Sequence, residues 1–260
     1  MSRSGVQPAV LAACIVIFVS IAAALPDDIV PLDPRAVFDE CREVYQGGPW
    51  AERVTASVRL NDGDERRGSF VLRAAPTTGG DLVSIRLEAG PLTLDADSAR
   101  TVIKHTHAAG RVCVADSIVA DPRAGLRDLL PPLALPQLDL LAGDEPFATA
   151  DAPIPRVTWI DARLSDATGH PFVTLTGTTE IGPAILIVDA ETGRLYSFAA
   201  MIPGDEPMRL ELNFRPLSPG DPQGWGIDTD GKVVVTSLAE LSAVQPIPPV
   251  DPETPPDNEP

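Results

Sequence analysis

Residues 50–73 read WAERVTASVRLNDGDERRGSFVLR. Val54, Ala56, Val58 and Leu60 alternate with Thr55, Ser57 and Arg59, the period of two that sends one row of side chains to each face of a β-strand. The run breaks at Asn61-Asp62-Gly63-Asp64 and resumes over Ser69–Arg73, which predicts a β-hairpin with one apolar face. Downstream, Leu82–Glu88, Pro91–Asp95, Arg100–His107 and Arg111–Ser117 carry the same signal between Gly, Pro and Asp. Their close spacing leaves no room for crossover helices, so the sheet is expected to be an antiparallel meander.

Upstream the period is that of a helix. Asp33 is an N-cap, Pro34 takes the first helical position, and Gly47-Gly48 is the stop. Val37, Phe38, Cys41, Val44 and Tyr45 form one apolar stripe between them. After the first group of strands, Asp121–Asp144 is rich in Leu and Pro, with a short helix predicted near Ala124–Leu130, and reads as a lid laid on an apolar sheet face. Ala148–Pro155 reads as a connection. A second group of strands is predicted at Arg156–Leu164, Phe172–Thr178, Ala184–Ala190, Arg194–Ala199, Met208–Arg215 and Lys232–Ser237, with a hairpin turn at Asp189–Gly193 and a short helix at Ser237–Leu241. Residues 245–260 hold seven prolines, four acids and no base, the composition of an extended solvated tail.

The N-terminus predicts the compartment. Arg3 is the only charge before Asp27, and Ala9–Leu25 is an apolar run that ends in Ala22-Ala23-Ala24. That pattern reads as a secretory signal over residues 1–24, with an uncut inner-membrane anchor as the competing reading. Leu11-Ala12-Ala13-Cys14 matches a lipobox in outline, but the greasiest part of the run follows the cysteine. The chain is therefore divided into the signal at 1–24, a folded body at 25–244 and the tail at 245–260, with a periplasmic or otherwise extracytoplasmic address.

Twenty Lys and Arg face 37 Asp and Glu, a formal charge of −17, which excludes nucleic acid as a partner because no basic face is available to displace counterions. Two cysteines, Cys41 and Cys113, remain after the signal. They read either as a disulfide formed in an oxidising compartment or as two small buried hydrophobes. His105 and His107 share one strand face, and a turn over Ala108–Gly110 would set Cys113 opposite His105. That set lacks a fourth ligand, so solvated strand residues are the preferred reading and no metal is assigned. His170 reads as a loop residue. No Gly-x-Ser-x-Gly, Cys-x-x-Cys or His-Glu-x-x-His motif occurs, and Asp228-x-Asp230-Gly231 lacks the later ligands of a calcium loop. No catalytic residue and no cofactor are assigned. A hydrolase working through buried carboxylates is the residual enzymatic alternative, and it requires an acid with a raised pKa in a cleft.

The fold class expected is mainly β (α+β): a strongly curved antiparallel sheet, or unclosed β-barrel, with an N-terminal helix and a helical Leu/Pro lid. The order of elements carries a resemblance. A helix, the strand VTASVRL (54–60), the return GSFVLRAAP (68–76), the pair LVSIRLEAGPLTLDAD (82–97), the hairpin TVIKHTHAAGRVCVADS (101–117), a Leu/Pro segment, and a second run including AILIVDAETGRLYSF (184–198) together resemble the LolA/LolB-type periplasmic lipoprotein-carrier superfamily. The resemblance spans about residues 34–240, and no diagnostic motif accompanies it. It implies a half-barrel with a cavity for acyl chains and a hydrophobic ligand or lipidated protein as partner. Phe38, Val54, Val58, Phe70, Leu72, Leu129, Leu133 and Leu135 are the residues expected on the concave side, as ligand contacts or as core. The competing reading is a protein–protein adaptor of the envelope with a dry core.

Overall fold

The computed structural model describes residues 30–59, 64–77, 81–108, 110–129, 135–147, 154–165, 169–203 and 207–242. Among them the chain forms β1 (Val30–Leu32), α1 (Pro34–Gln46), β2 (Trp50–Arg59), β3 (Glu65–Pro76), β4 (Leu82–Ala89), β5 (Leu92–Asp97), β6 (Thr101–His105) and β7 (Arg111–Ala115). Two short helices follow, α2 (Pro122–Leu129) and α3 (Pro136–Leu141). The second half holds β8 (Thr158–Ser165), β9 (Phe172–Thr179), β10 (Gly182–Asp189), β11 (Arg194–Ile202), β12 (Met208–Leu217), β13 (Val233–Val235) and α4 (Leu238–Ser242). The signal segment, the turn residues 61–63, Leu133 and the acidic tail lie outside the described residues, as do 148–153 of the connection.

All thirteen strands belong to one unclosed sheet, ordered β1-β8-β9-β10-β11-β12-β2-β3-β4-β5-β6-β7-β13. The two strand groups join where β12 pairs with β2, from Arg209↔Arg59 to Leu217↔Ala51. Thirteen strands exceed the roughly ten that an open sheet carries without curling. Their inner rows pack with α1 and α3 into one core cluster, so the curl closes over the helices. One inner row runs Leu72–Leu87–Leu94–Ile103–Cys113 across β3 to β7. In the other half, Ala162, Leu175, Leu186, Phe198 and Leu212 form the matching row across β8 to β12.

The expected meander is corrected at one edge. β13 pairs with β7 in parallel, Val233↔Arg111 to Val235↔Cys113. The chain leaves β12, passes a 3₁₀ turn at Pro222–Gly224, and packs Ile227 on Val102 and Val112 before it reaches the free edge of β7. Those two valines alternate with the inner residues Thr101, Ile103 and Cys113, so Ile227 covers the outer face. A second correction concerns β6 and β7. Both end at a tight turn in which the amide of Ala108 donates to the carbonyl of His105 (2.9 Å), and Cys113 pairs with Ile103, not with His105. His105 instead faces Leu92, and its Nδ1 accepts the amide of His107 at 3.2 Å.

α1 forms as its stripe predicts. Asp33 Oδ1 accepts the Arg35 amide at 3.0 Å, and Val37, Phe38, Cys41 and Tyr45 are buried. Its C-terminus is finished from outside: the Trp50 indole donates to the Tyr45 carbonyl at 3.0 Å, answering one of the acceptors that a helix end leaves open. The β10–β11 turn docks on the same helix. Gly193 holds φ +65°, and a Cβ there would stand 2.9 Å from Val44 Cγ2. Gly193→Ala is therefore expected to cost about 1–3 kcal/mol through strain and overpacking together. Gly68→Ala, where a Cβ meets nothing within 4 Å, is the control and should leave the unfolding midpoint in urea close to wild type.

Candidate functional site: a buried carboxylate beneath the lid and a cleft beside it

Glu52 has the parity of Val54 in β2, so its side chain enters the core. It pairs with Leu72 and extends the row of Leu87, Leu94 and Ile103. Its exposure is 0%. A carboxylate among leucines requires partners, and three elements supply them. The Tyr45 hydroxyl of α1 donates to Oε1 at 2.6 Å, and the Gln137 amide of α3 donates to Oε2 at 2.8 Å. Arg194, which opens β11, brings Nη1 to 3.5 Å from Oε1, an ion-pair distance without hydrogen-bond geometry. The Tyr45 hydroxyl also accepts the Leu195 amide at 3.2 Å, so it links β2 to β11 through α1. The Tyr45 ring stands edge-on to Trp50, with centroids 5.0 Å apart, and the Arg194 guanidinium lies 6.0 Å from its centre.

Burial pushes the Glu52 carboxyl above the usual range, against the pull of Tyr45, Gln137 and Arg194. Burial and the nearby Glu52 charge push the Tyr45 phenol well up. Gln137 Oε1 is buried without a hydrogen-bond partner among the described residues. The carboxylate is enclosed on both oxygens by protein donors, so its geometry is that of a clasp and not of a base presented to a substrate.

The lid is fastened by further polar contacts. Gln46 at the end of α1 donates to the carbonyls of Leu140 (3.3 Å) and Leu141 (3.1 Å), capping α3. Asp139 accepts from Arg123 of α2 at 2.9 Å and from the Phe147 amide at 2.8 Å. Burial raises the Asp139 carboxyl in spite of both. Phe147 holds a positive φ of 59°, a strained setting for a bulky residue, and is fixed there by that bond and by its ring 4.1 Å from Phe198.

Beside the clasp lies a cleft of about 610 Å³ between the start of β4, the β5–β6 turn and the lid. Leu82, Val119, Pro122, Leu138 and Leu141 are its apolar lining, and Asp81, Asp121 and Arg123 are its charged lining. Its size falls within the range of about 300–1,000 Å³ usual for small-ligand pockets.

The sequence-predicted site residues fall elsewhere. Phe38, Val54 and Leu72 are fully buried, Phe70 is 7% exposed, and Val54 pairs directly with Phe70. All four lie in the main core, with Val58 and Leu135 half-buried against it. Leu129 ends α2, and its side chain lies outside the described residues, as does Leu133. Cys41 and Cys113 are unbridged buried thiols, one on α1 and one on β7; burial pushes Cys41 up to about 12. Among the described residues no group of three His, Cys, Asp or Glu is placed to hold a metal ion. His170 lies 3.1 Å from Asp189 and faces the Phe172 ring. Sequence reading missed Glu52, although its parity with Val54 and the buried hydroxyl of Tyr45 both pointed inward. The cleft was missed because α3 was not foreseen.

No family model matches the chain, and no curated protein matches it. Solved structures are similar to it. The Pseudomonas aeruginosa MucA/MucB complex is 16% identical over 79% of this chain and 64% of that one, with a TM-score of 0.34. The LolA superfamily protein NE2245 from Nitrosomonas europaea is 8% identical over 71% of this chain and 92% of that one, at 0.28. A putative outer membrane lipoprotein-sorting protein domain from Vibrio parahaemolyticus is 10% identical over 74% and 96%, at 0.24. The chain spans under two thirds of the MucB-complex chain it matches. No helix among the described residues is long and apolar enough to cross a membrane.

The pH dependence of stability tests the clasp. Between the ordinary value of 4.5 and its raised folded value, Glu52 keeps its proton in the folded chain and loses it in the unfolded one. The folded state then binds more protons, so the contribution of Glu52 is present below about 4.5 and is lost as pH rises through the folded value. Asp95 and Asp139 are shifted in the same direction, so the wild-type stability curve minus that of Glu52→Gln isolates Glu52. That difference should fall with rising pH and then level off. Tyr45→Phe, which leaves both Glu52 Oε1 and the Leu195 amide short of a partner, should cost about 1–3 kcal/mol in urea unfolding.

Proposed function

We propose that this protein is a non-catalytic module of the cell envelope that takes up a hydrophobic ligand, or the acyl chain of a lipidated partner, at the lip of the concave face under the α2–α3 lid. The observation that carries this reading is the cleft of about 610 Å³ beside the lid, in which Leu82, Val119, Leu138 and Leu141 form an apolar side. Polar contacts from Gln46 and Gln137 give the lid one defined seat, while Leu138 and Leu140 of α3 anchor it in the main core. The N-terminal signal reading supports the envelope address. The catalytic alternative draws on Glu52, Asp95 and Asp139, all raised in pKa and all occupied by structural donors.

A second reading has its own support. Phe38, Val54 and Leu72 are fully buried with one another, as in the dry core of an adaptor. Uptake separates the two. A fluorescent long-chain acyl probe should bind the purified protein saturably, and Val119→Trp, which fills the cleft, should weaken it by about tenfold or more, equivalent to about 1.4 kcal/mol. Uptake that is absent in the wild type favours the adaptor. Uptake that Val119→Trp leaves unchanged places the ligand elsewhere.

A further inference from the structure

The cleft is not electrically neutral, and its charge bears on which amphiphile it accepts. Of the twelve described residues that line it, Asp81, Asp121 and Arg123 carry charge. Arg123 is already engaged: Nη1 lies 2.9 Å from Asp139 Oδ1 and Nη2 lies 3.0 Å from Asp144 Oδ2. Two carboxylates therefore answer the one lining cation from outside the cleft. The two lining carboxylates have no such answer, for no cation pairs with Asp81 or Asp121 among the described residues. Asp121 accepts the Ala124 amide through Oδ1 at 3.1 Å, a capping bond that leaves its charge in place. Ser98 and Ser117 add hydroxyls to the same wall, and among the described residues no further cation lines it. The apolar side is formed by Leu82 at the start of β4 and by Leu138 and Leu141, one helical turn apart on α3.

Resting on the ligand-binding reading above, we infer that the cleft selects a single-chain amphiphile with a cationic head. The chain lies on Leu82, Leu138 and Leu141, and an alkylammonium head faces Asp81 and Asp121. A carboxylate or phosphate head would meet two uncompensated acids and an arginine already committed to others, so charge complementarity favours the cation.

Three probes of one chain length, used below their micelle concentrations at low salt, test this on the intact protein by isothermal titration calorimetry: a primary alkylammonium, the matching alkanol and the matching alkanoate. The expected order is ammonium, then alcohol, then carboxylate, with about tenfold or more between first and last, a preference that shrinks as added salt screens the acids. In the double variant Asp81→Asn with Asp121→Asn the alcohol should bind as before and the charge preference should vanish. Asn caps a helix as well as Asp does, so α2 is retained. Equal binding of all three, or tighter binding of the carboxylate, overturns the charge inference and leaves the cleft as a ligand site. Binding of none overturns the ligand-binding reading itself. A preference that survives in the double variant overturns the assignment to these two carboxylates.

Discussion

Glu52 occupies a position that the sheet reserves for apolar side chains. Its neighbour across the β2–β3 ladder is Leu72, and beyond it the row continues in leucine and isoleucine. An ionisable group in that setting is stable only if donors reach both oxygens. Tyr45 reaches one, Gln137 reaches the other, and Arg194 stands close by, so meeting one residue's demand fixes where α1, α3 and the β10–β11 hairpin lie. Each of the three comes from a different part of the chain. Removing Tyr45 or Gln137 leaves a buried acceptor short of a donor, which is costly in a medium of low polarity.

The remaining architecture follows from covering the sheet. Two meanders fuse at β12–β2 into a surface too wide to stay flat, and its curl is filled by the stripe of α1 and by α3. Each helix end is closed by a side chain from outside it, the Trp50 indole on α1 and the Gln46 amide on α3. The lid thus rests on the body through directional bonds to α1 and through the core leucines of α3, and leaves a cleft of mixed lining on its other side. Charges that cannot enter the core sit on the outer face, where Arg86 bridges Glu88 (2.8 Å) and Asp95 (3.1 Å).

What could be read in the sequence was what depends on local period and punctuation. The α1 stripe between Asp33 and Gly47 was legible because capping and amphipathicity are local, and so was the Asp189–Gly193 turn, whose Asp189 Oδ1 accepts the amides of Glu191 and Thr192. The placing of Cys113 opposite His105 failed because register depends on where the turn closes, and the Ala108 bond ends the strands two residues before His107. The parallel β13 was not legible, since its partner lies more than a hundred residues earlier. β1 escaped notice because three residues carry no period. Phe38, Val54, Phe70 and Leu72 were placed on the inner side by period alone, which does not tell a ligand wall from a packed core.

The claim that carries the account is that the Glu52 clasp fixes the seat of the lid on the apolar core that the lid shares. Hydrogen exchange on Gln137→Ala tests it directly. The account predicts faster exchange at the amides of Leu138, Ala142 and Phe147, which depend on the seating of α3, with β2, β3 and β4 protected as in the wild type. Unchanged lid exchange, or a loss of protection spread evenly through the sheet, would contradict it.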